Sequence, residues 1–315
     1  MEKTTLPWSG QHVCRVALGT WSMGGWMWGG ADERAARATI QRALEIGVDF
    51  VDTAPVYGFG LSERLLGEEL EALGVRDRVV IATKCGLVWD ERQEPWRDSS
   101  PASIRREVEA SLERLKTSWI DLYQVHWPDE STPFEETAAA LQALVDEGLV
   151  RAVGVCNYSV EQMERFRLGG RLDAVQFRYN LFEPANEPVL RYAYERGLLA
   201  MAYSPLARGL LTGSMRRDQE PADAARRAPM YHGDSYQRHL DAVERLDSLA
   251  QARYGRRVIH LAVRWLLDQP GMSVVLWGAR RPEQLDAVDG VWGFALDDDA
   301  YGEIDEIVAG LAEPR

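Results

Sequence analysis

Four polar side chains of types that can transfer a proton follow apolar segments of this chain. Asp52 and Tyr57 occur in VDFVDTAPVYG, Lys84 in VVIATKCG and His126 in DLYQVHWPD. Free tyrosine has a pKa of about 10, and a nearby ammonium lowers that pKa by stabilising the phenolate. We therefore predict that Tyr57 is a proton donor whose pKa Lys84 lowers. In the same hypothesis Asp52 holds Lys84 in place, and His126 orients a substrate carbonyl.

Each of these four residues has a structural explanation when it is considered alone. An aspartate after a strand often caps a helix, a lysine is often solvated in a loop, a tyrosine can cover a turn, and a histidine can belong to the core. All four, however, follow apolar strand-like segments. Barrel enzymes place their catalytic residues at the carboxyl ends of strands. The combination therefore favours catalysis.

The elements that must position these residues repeat along the chain. Charged helical segments end at Gly47, Gly74, Gly148 and Gly197, which suit the left-handed position after a helix. The apolar segments that follow them are typical of strands buried on both faces. We predict eight strands that end near Gly19, Thr53, Lys84, His126, Cys156, Phe177, Ser204 and Gly278.

Eight strands alternating with helices favour a single (β/α)₈ barrel, an α/β fold of the TIM-barrel class, over an open doubly wound sheet. A doubly wound sheet normally carries GxGxxG after its first strand, whereas here Leu18-Gly19-Thr20-Trp21 stands there. We predict one domain over residues 1–315, with an N-terminal capping hairpin that turns at Ser9-Gly10. Extra helices are expected after the seventh strand. The additional segments are a loop at about Leu210 to Gln237, a helix at about Leu240 to Ala252 and another helix at Val258 to Leu267. Elsewhere in the chain, helix starts are expected at Asp32, Ser100, Ser131 to Pro133 and Ser159.

Composition excludes several classes of partner. The net charge of −13 argues against binding to nucleic acid or to an anionic membrane. Three separated cysteines, the lack of an apolar signal segment and the lack of a membrane-spanning segment predict a cytoplasmic protein. Five histidines without H-x-H or H-E-x-x-H spacing predict no catalytic metal, and the absence of G-x-S-x-G disfavours a serine nucleophile.

From about Leu18 to Gln284 the sequence resembles the aldo-keto reductases. The phrases GTWSMGGWMWGG, DTAPVYGFGLSE and LWGARRPEQLD are most similar to the bacterial oxidoreductase and potassium-channel β-subunit-like branch. The resemblance implies NADP (NADPH) as cofactor and a small carbonyl or alcohol as substrate. It implies reduction of an aldehyde or ketone, with Tyr57 as the proton donor. The second hypothesis is a redox-sensing module that holds cofactor and docks a partner protein.

The same resemblance assigns cofactor contacts to the later strands. It implies that Asn157 and Gln176 hold the nicotinamide carboxamide, which their amides suit, and that Tyr203 stacks on the nicotinamide ring. The segment SPLARG then contacts the pyrophosphate through Ser204, Leu206, Arg208 and Gly209. Cys156 departs from the family's usual serine and weakens one expected hydrogen bond.

The segment from Gly278 to Gln284, which includes Arg280, is expected to open the last helix and to bind the adenosine end. A helix N-terminus that carries arginines favours an anion, so Arg280 is our candidate for selecting the 2′-phosphate of NADP. Three departures bear on this preference, since Trp277 replaces a common proline and Ala287 and Val288 replace a common Glu–Asn pair.

Two further groups of residues face the expected cleft. Arg226 and Arg227 either clamp the pyrophosphate or are solvated loop residues. Six tryptophans lie in loops after the first, third and fourth strands, and we expect Trp21 and Trp127 to line the substrate pocket. The sequence does not give the substrate or the oligomeric state.

Overall fold

Eight parallel strands form a closed barrel in the computed structural model, which describes residues 1–221, 223 and 226–311. Two short antiparallel pairs, β1–β2 and β6–β7, lie outside it. The barrel closes where β12 pairs in parallel with β3, which rules out the open doubly wound sheet. The strands are β1 Lys3–Thr5, β2 His12–Cys14, β3 Val16–Gly19, β4 Phe50–Asp52, β5 Val80–Cys85, β6 Leu87–Trp89, β7 Pro95–Arg97, β8 Leu122–Val125, β9 Val153–Cys156, β10 Ala174–Arg178, β11 Leu199–Tyr203 and β12 Met272–Gly278.

Helices follow the barrel strands, as the sequence predicts. Among the described residues the α-helices are α1 Glu33–Glu45, α2 Leu61–Leu73, α3 Pro101–Leu115, α4 Phe134–Asp146, α5 Val160–Phe166, α6 Glu187–Arg196, α7 Gly233–Tyr254, α8 Val258–Asp268 and α9 Asp298–Ala309. The helix predicted at Leu240 to Ala252 is the longer α7, and α8 matches its prediction. The loop before α7 ends at His232 rather than Gln237, and its residues 222, 224 and 225 lie outside the described part.

One predicted element differs in type. The segment after Gly278 opens a 3₁₀ helix, Pro282–Val291, and α9 follows it, so the prediction that it opens the last helix was wrong. The Asp297 side chain accepts a hydrogen bond from the Ala300 N–H and caps α9. A capped amphipathic segment after the barrel's last strand therefore forms the final helix.

Most predicted helix boundaries are confirmed. Gly47, Gly74, Gly148 and Gly197 have φ angles of 86°, 62°, 78° and 65°. The left-handed backbone that ends these helices is strained for other residues, which explains the glycines. Side chains at Asp32, Ser100 and Ser159 cap the helices that they precede, and Ser159 forms a full capping box with Gln162.

The predicted cap of α4 was wrong. The hydroxyls of Ser131 and Thr132 donate to Asp129 at 2.6 and 3.0 Å, so neither is available to the helix. Pro133 is the residue before the helix, and α4 begins at Phe134. A buried carboxylate three residues upstream thus takes the donors that sequence spacing assigned to capping.

The barrel interior changes from apolar to polar along its axis. Small and apolar side chains such as Ala17, Phe50, Val80 and Leu122 fill one end, and Leu6 of the hairpin loop packs beneath them. Successive strand residues face opposite sides, so every second residue points inward. The next inward layer, at the carboxyl ends of the strands, is polar. No helix within the described part of the chain is long and apolar enough to cross a membrane.

Candidate active site

The last inward layer of the barrel brings together side chains from four strands. In β5 the inward positions run Val80, Ala82 and Lys84, and in β8 Leu122 is followed by Gln124. Asp52 ends β4 and Gln176 lies in β10 at the equivalent position. All four polar residues are buried, with exposures of 0 to 3%. These side chains come together because the carboxyl ends of the parallel strands meet at one end of the barrel.

Lys84 lies at the centre of the cluster. Its Nζ donates to Asp52 Oδ1 at 2.7 Å, to the Thr53 carbonyl at 2.8 Å and to the Tyr57 hydroxyl at 3.3 Å. Burial lowers the pKa of Lys84, but the Asp52 carboxylate, together with Tyr57 and Cys156, raises that pKa above its ordinary value. The side chain is therefore a buried ammonium at neutral pH, aimed at a phenol, as the sequence predicts.

Three side-chain donors compensate the burial of Asp52. Besides Lys84, Gln176 donates from Nε2 to Asp52 Oδ2 at 2.8 Å and Gln124 donates from Nε2 at 3.3 Å. Gln124 was missed in the sequence analysis. Its signal was a polar residue at an inward position of an apolar strand, paired in register with Lys84. Buried polar groups require partners, and this amide supplies one to the carboxylate.

Tyr57 has a higher pKa than the sequence analysis expected. Burial raises the pKa above its ordinary value of 10.0, and the nearby Lys84 ammonium lowers it by less. The predicted effect of Lys84 is therefore present, but the net direction was wrong because desolvation disfavours the phenolate. The phenol is consequently protonated at neutral pH, which is the form that a proton donor needs.

His126 lies beside the phenol. The rings of His126 and Tyr57 meet edge to face, with centroids 5.7 Å apart and an interplanar angle of 79°. The backbone N–H of His126 donates to the carbonyl of Cys85 at 2.9 Å. Burial lowers the pKa of His126 well below its ordinary value of 6.5, and Lys84 lowers it further. The imidazole is therefore neutral at pH 7, with one N–H available as a donor.

Two glycines bring the loop after β3 against the backbone of Tyr57. A Cβ on Gly24 would lie 2.4 Å from the Tyr57 carbonyl carbon, and a Cβ on Gly58, whose φ is +69°, would lie 2.3 Å from the Gly24 oxygen. Side chains do not fit at these distances. The glycines in MGGW and VYGFG thus permit the close approach that positions Tyr57.

A cavity of about 810 Å³ opens above the cluster. Its volume lies within the range of ligand pockets, about 300–1,000 Å³. Lys84 lies beneath the cavity rather than on its wall. All the other predicted site residues line it, namely Trp21, Asp52, Tyr57, His126, Trp127, Asn157, Gln176, Tyr203, Ser204, Leu206, Arg208, Gly209, Gly278, Arg280 and Gln284.

The cavity wall also contains residues that the sequence analysis missed or left open. Arg178 lies with its guanidinium carbon 5.7 Å from the Tyr203 ring centroid and forms an ion pair with Glu183 at 3.0 Å. No sequence signal distinguished it from other strand-end arginines. Arg226 lines the cavity, whereas Arg227 is exposed and is not among its lining residues.

Two of the three residues expected to hold a nicotinamide, Asn157 and Tyr203, bind each other, whereas Gln176 donates to Asp52. Asn157, at φ +62°, donates from Nδ2 to the His126 carbonyl at 3.1 Å and accepts from the Tyr203 hydroxyl at 2.8 Å. The Cys156 thiol lies 3.6 Å from the Gln124 amide oxygen. This network fixes the Tyr203 ring as a wall of the cavity and fits a flat polar ring between amide groups.

The middle of the cavity has an irregular backbone and two arginines, Arg208 and Arg226, of which Arg226 forms an ion pair with Asp223 at 2.6 Å. Ser204, Ala207 and Arg208 have φ angles of 56°, 44° and 49°, and Gly209 follows at 98°. Arg226 donates from Nε to the Arg208 carbonyl at 2.7 Å. Two guanidinium groups beside a tight turn suit an anionic group such as a pyrophosphate.

The far end of the cavity carries Arg280 and Arg281. The Arg280 guanidinium donates to the Trp28 carbonyl and to the Gly30 carbonyl, each at 2.8 Å. Gln284 Oε1 accepts from the backbone N–H groups of Arg280 and Arg281 at 2.7 and 3.1 Å. Arg281 is exposed at the cavity mouth. The cationic charge expected for an adenosine phosphate is therefore present, with Arg280 already bound to a loop.

The model of the Aldo/keto reductase family matches residues 15–309. The chain belongs to the aldo/keto reductase family. It is therefore an oxidoreductase of a family that uses nicotinamide cofactors, and the two arginines and the amide-lined inner end of the cavity fit such a group.

Individual relatives of this aldo/keto reductase cover nearly its whole length. Aldo-keto reductase YhdN of Bacillus subtilis is 46% identical over 311 residues, which cover 98% of this chain and 94% of the relative. The NADH-specific methylglyoxal reductase of Escherichia coli is 36% identical and covers 90% of this chain and 91% of the relative. The solved structure of glycerol dehydrogenase AKR11B4 from Gluconobacter oxydans matches with a TM-score of 0.91 and 43% identity, covering 99% of this chain and 97% of that one.

Among the described residues no group of three or more His, Cys, Asp or Glu side chains is arranged to hold a metal ion.

Proposed function

We propose that this protein reduces aldehydes or ketones to alcohols with NADPH, and that Tyr57 donates the proton. The observation that carries the proposal is the position of Lys84 Nζ, 2.7 Å from Asp52 and 3.3 Å from the Tyr57 hydroxyl, beneath a cavity of about 810 Å³. Hydride is supplied by the nicotinamide when the cofactor is bound.

The side chains perform the proton transfer. As negative charge develops on the substrate carbonyl oxygen, the Tyr57 hydroxyl donates its proton to that oxygen. The Lys84 ammonium stabilises the charge that passes to the phenol oxygen, and Asp52 keeps the ammonium in place. The neutral His126 imidazole donates its ring N–H to the carbonyl oxygen and so orients it. Reduction therefore requires a protonated Tyr57, and the raised pKa of that residue favours this form.

The cofactor would be held along the cavity from its inner to its outer end. Asn157, Gln176 and Tyr203 would hold the nicotinamide ring, and Arg208 and Arg226 would bind the pyrophosphate. Arg280 and Arg281 would bind a 2′-phosphate, which supports NADP. One relative is named an NADH-specific reductase, so cofactor preference must be measured for this chain.

Small oxygenated compounds are the first substrates to test. Two relatives are named for methylglyoxal and for glycerol, and the inner cavity has aromatic walls at Trp21 and Trp127. These enzyme relatives also favour turnover over the hypothesis of a redox-sensing docking module.

The test is a panel of aldehydes, ketones and sugars, with loss of NADPH or NADH absorbance as the readout. The proposal expects steady turnover of several carbonyls and a higher kcat/KM with NADPH than with NADH. Tight cofactor binding without turnover of any carbonyl would contradict it and support the docking module.

A further inference from the structure

The loop that follows β3 closes over the outer end of the cavity and is held by arginines from two other loops. We define this loop as residues 25–30. Arg280, after β12, donates to the carbonyls of Trp28 and Gly30 at 2.8 Å each. The guanidinium of Arg226, in the segment before α7, lies 5.0 Å from the centroid of the Trp28 ring. The loop therefore depends on side chains more than 190 residues away in sequence.

The loop's own bonds are few and come from one acceptor. The N–H groups of Trp28 and Gly30 both donate to the Gly25 carbonyl, at 3.0 and 3.1 Å. Gly29 and Gly30 have φ angles of +78° and +103°, and a Cβ on either would meet no atom within 4 Å. The tip of the loop thus has open space around it, and its closed form relies on the contacts of Arg280 and of the Trp28 ring.

Under the proposed function, two groups bind the Arg280 guanidinium: the loop carbonyls and the 2′-phosphate of the cofactor. A guanidinium has five N–H donors, and one from each terminal nitrogen is directed here at a carbonyl oxygen. A phosphate dianion binds a guanidinium more strongly than a neutral carbonyl does, because its hydrogen bonds are charge-assisted. A dianion that approached this end of Arg280 would also lie close to two partially negative carbonyl oxygens, which disfavours simultaneous binding.

We propose that the carbonyls of Trp28 and Gly30 compete with the 2′-phosphate of the cofactor for Arg280, so that loop 25–30 is a determinant of the preference between NADPH and NADH. A cofactor without the phosphate leaves the loop bound to Arg280, whereas a cofactor with the phosphate releases it. This inference rests on the proposed function, since it takes Arg280 as the ligand of the 2′-phosphate.

The test uses two ligands that differ only in the 2′-phosphate, adenosine 2′,5′-bisphosphate and adenosine 5′-monophosphate, with the full-length protein. Hydrogen exchange of peptides that cover residues 25–30 is measured at saturation with each ligand. The bisphosphate is expected to speed exchange of the Trp28 and Gly30 amides relative to the monophosphate. Equal or slower exchange with bound bisphosphate would overturn the proposal.

A glycine substitution tests the same competition through affinity. Gly30→Ala should weaken the closed loop without a clash, because its φ of +103° disfavours a residue with a Cβ. We expect its affinity for the bisphosphate, relative to the monophosphate, to rise about fivefold, which corresponds to about 1 kcal/mol. Gly10→Ala is the matched control, since Gly10 also has positive φ and open space but lies in the N-terminal hairpin. An unchanged ratio in a folded Gly30→Ala protein would contradict the competition.

A third variant separates charge from the two-carbonyl contact. Arg280→Lys keeps a cation, but one ammonium lacks the planar fork that holds both carbonyls. Exchange of loop 25–30 should therefore be faster in the unliganded variant than in the parent, and an unchanged rate would overturn the proposal. Failure of the bisphosphate to bind any variant would overturn it too, while turnover with NADH would remain. Loss of the proposed reductase function would instead appear as no turnover of any carbonyl with either cofactor.

Discussion

Replacing Lys84 with methionine should slow reduction strongly although the side-chain volume changes little. At the observed 3.3 Å between Nζ and the Tyr57 oxygen, an ammonium and a full phenolate charge attract by about 5 kcal/mol at an effective dielectric constant of about 20. A transition state with about half of that charge would lose about 2.5 kcal/mol, which is a roughly 70-fold lower rate. Loss of the ammonium also raises the pKa of Tyr57 further, because it lowers that pKa in the parent.

The assay is the pH profile of kcat/KM for carbonyl reduction by parent and variant, with cofactor binding measured by fluorescence. The alkaline fall in activity reports loss of the Tyr57 proton, so it should move to higher pH in Lys84→Met. Asp52→Asn should instead move it to lower pH, because the nearby Asp52 carboxylate raises the pKa of Tyr57 in the parent. A still-active Lys84→Met protein whose profile coincides with that of the parent would refute this coupling.

A stability control is needed because Lys84 and Asp52 are a buried ion pair. Lys84→Met leaves the Asp52 carboxylate buried without its cation, which costs roughly 3–5 kcal/mol of the free energy of unfolding. The double variant Asp52→Asn/Lys84→Met removes both charges and should recover much of that loss in thermal denaturation. Rates are then compared only between variants that are folded at the assay temperature.

Three further substitutions test other parts of the site. Arg280→Ala should raise KM for NADPH about tenfold or more, because a charge-assisted contact contributes roughly 1.5–3 kcal/mol. KM for NADH should stay nearly unchanged. Equal increases for both cofactors would mean that Arg280 has a structural role instead. Gly24→Ala should lower kcat more than cofactor affinity, because its Cβ would lie 2.4 Å from the Tyr57 backbone; a parent-like kcat would contradict the positioning role. Cys156→Ser should raise thermal stability slightly and leave cofactor affinity near that of the parent, because it replaces a buried thiol donor to Gln124 with a hydroxyl; thermal denaturation and cofactor titration of both proteins check this.

The barrel could be predicted because its strands are buried and parallel. Such strands appear in sequence as apolar segments, and the polar residues that follow them mark their carboxyl ends. The predicted strand ends at Gly19, Cys156 and Gly278 agree with the structure to the residue. Side chains that share the inward direction at these ends must meet, so the assembly of Asp52 with Lys84 followed from local pattern.

Other features depended on contacts between residues distant in sequence. The sequence could not show that Arg280 binds carbonyls about 250 residues away. The pKa of Tyr57 also depends on the balance of two opposing effects. The sequence identified the ammonium that lowers this pKa, but the depth of burial that raises it is a property of the folded barrel. Gln124 was missed although its polar side chain at an inward position of an apolar strand could have indicated it.

The most direct test of the central claim is the reductase rate of Tyr57→Phe. Phenylalanine keeps the ring beside His126 and removes only the hydroxyl that Lys84 contacts. General acid catalysis contributes about 10²–10⁴-fold, so kcat should fall by that factor while NADPH affinity and thermal stability stay near those of the parent. A folded Tyr57→Phe protein that retains half of the parent rate would contradict Tyr57 as the proton donor.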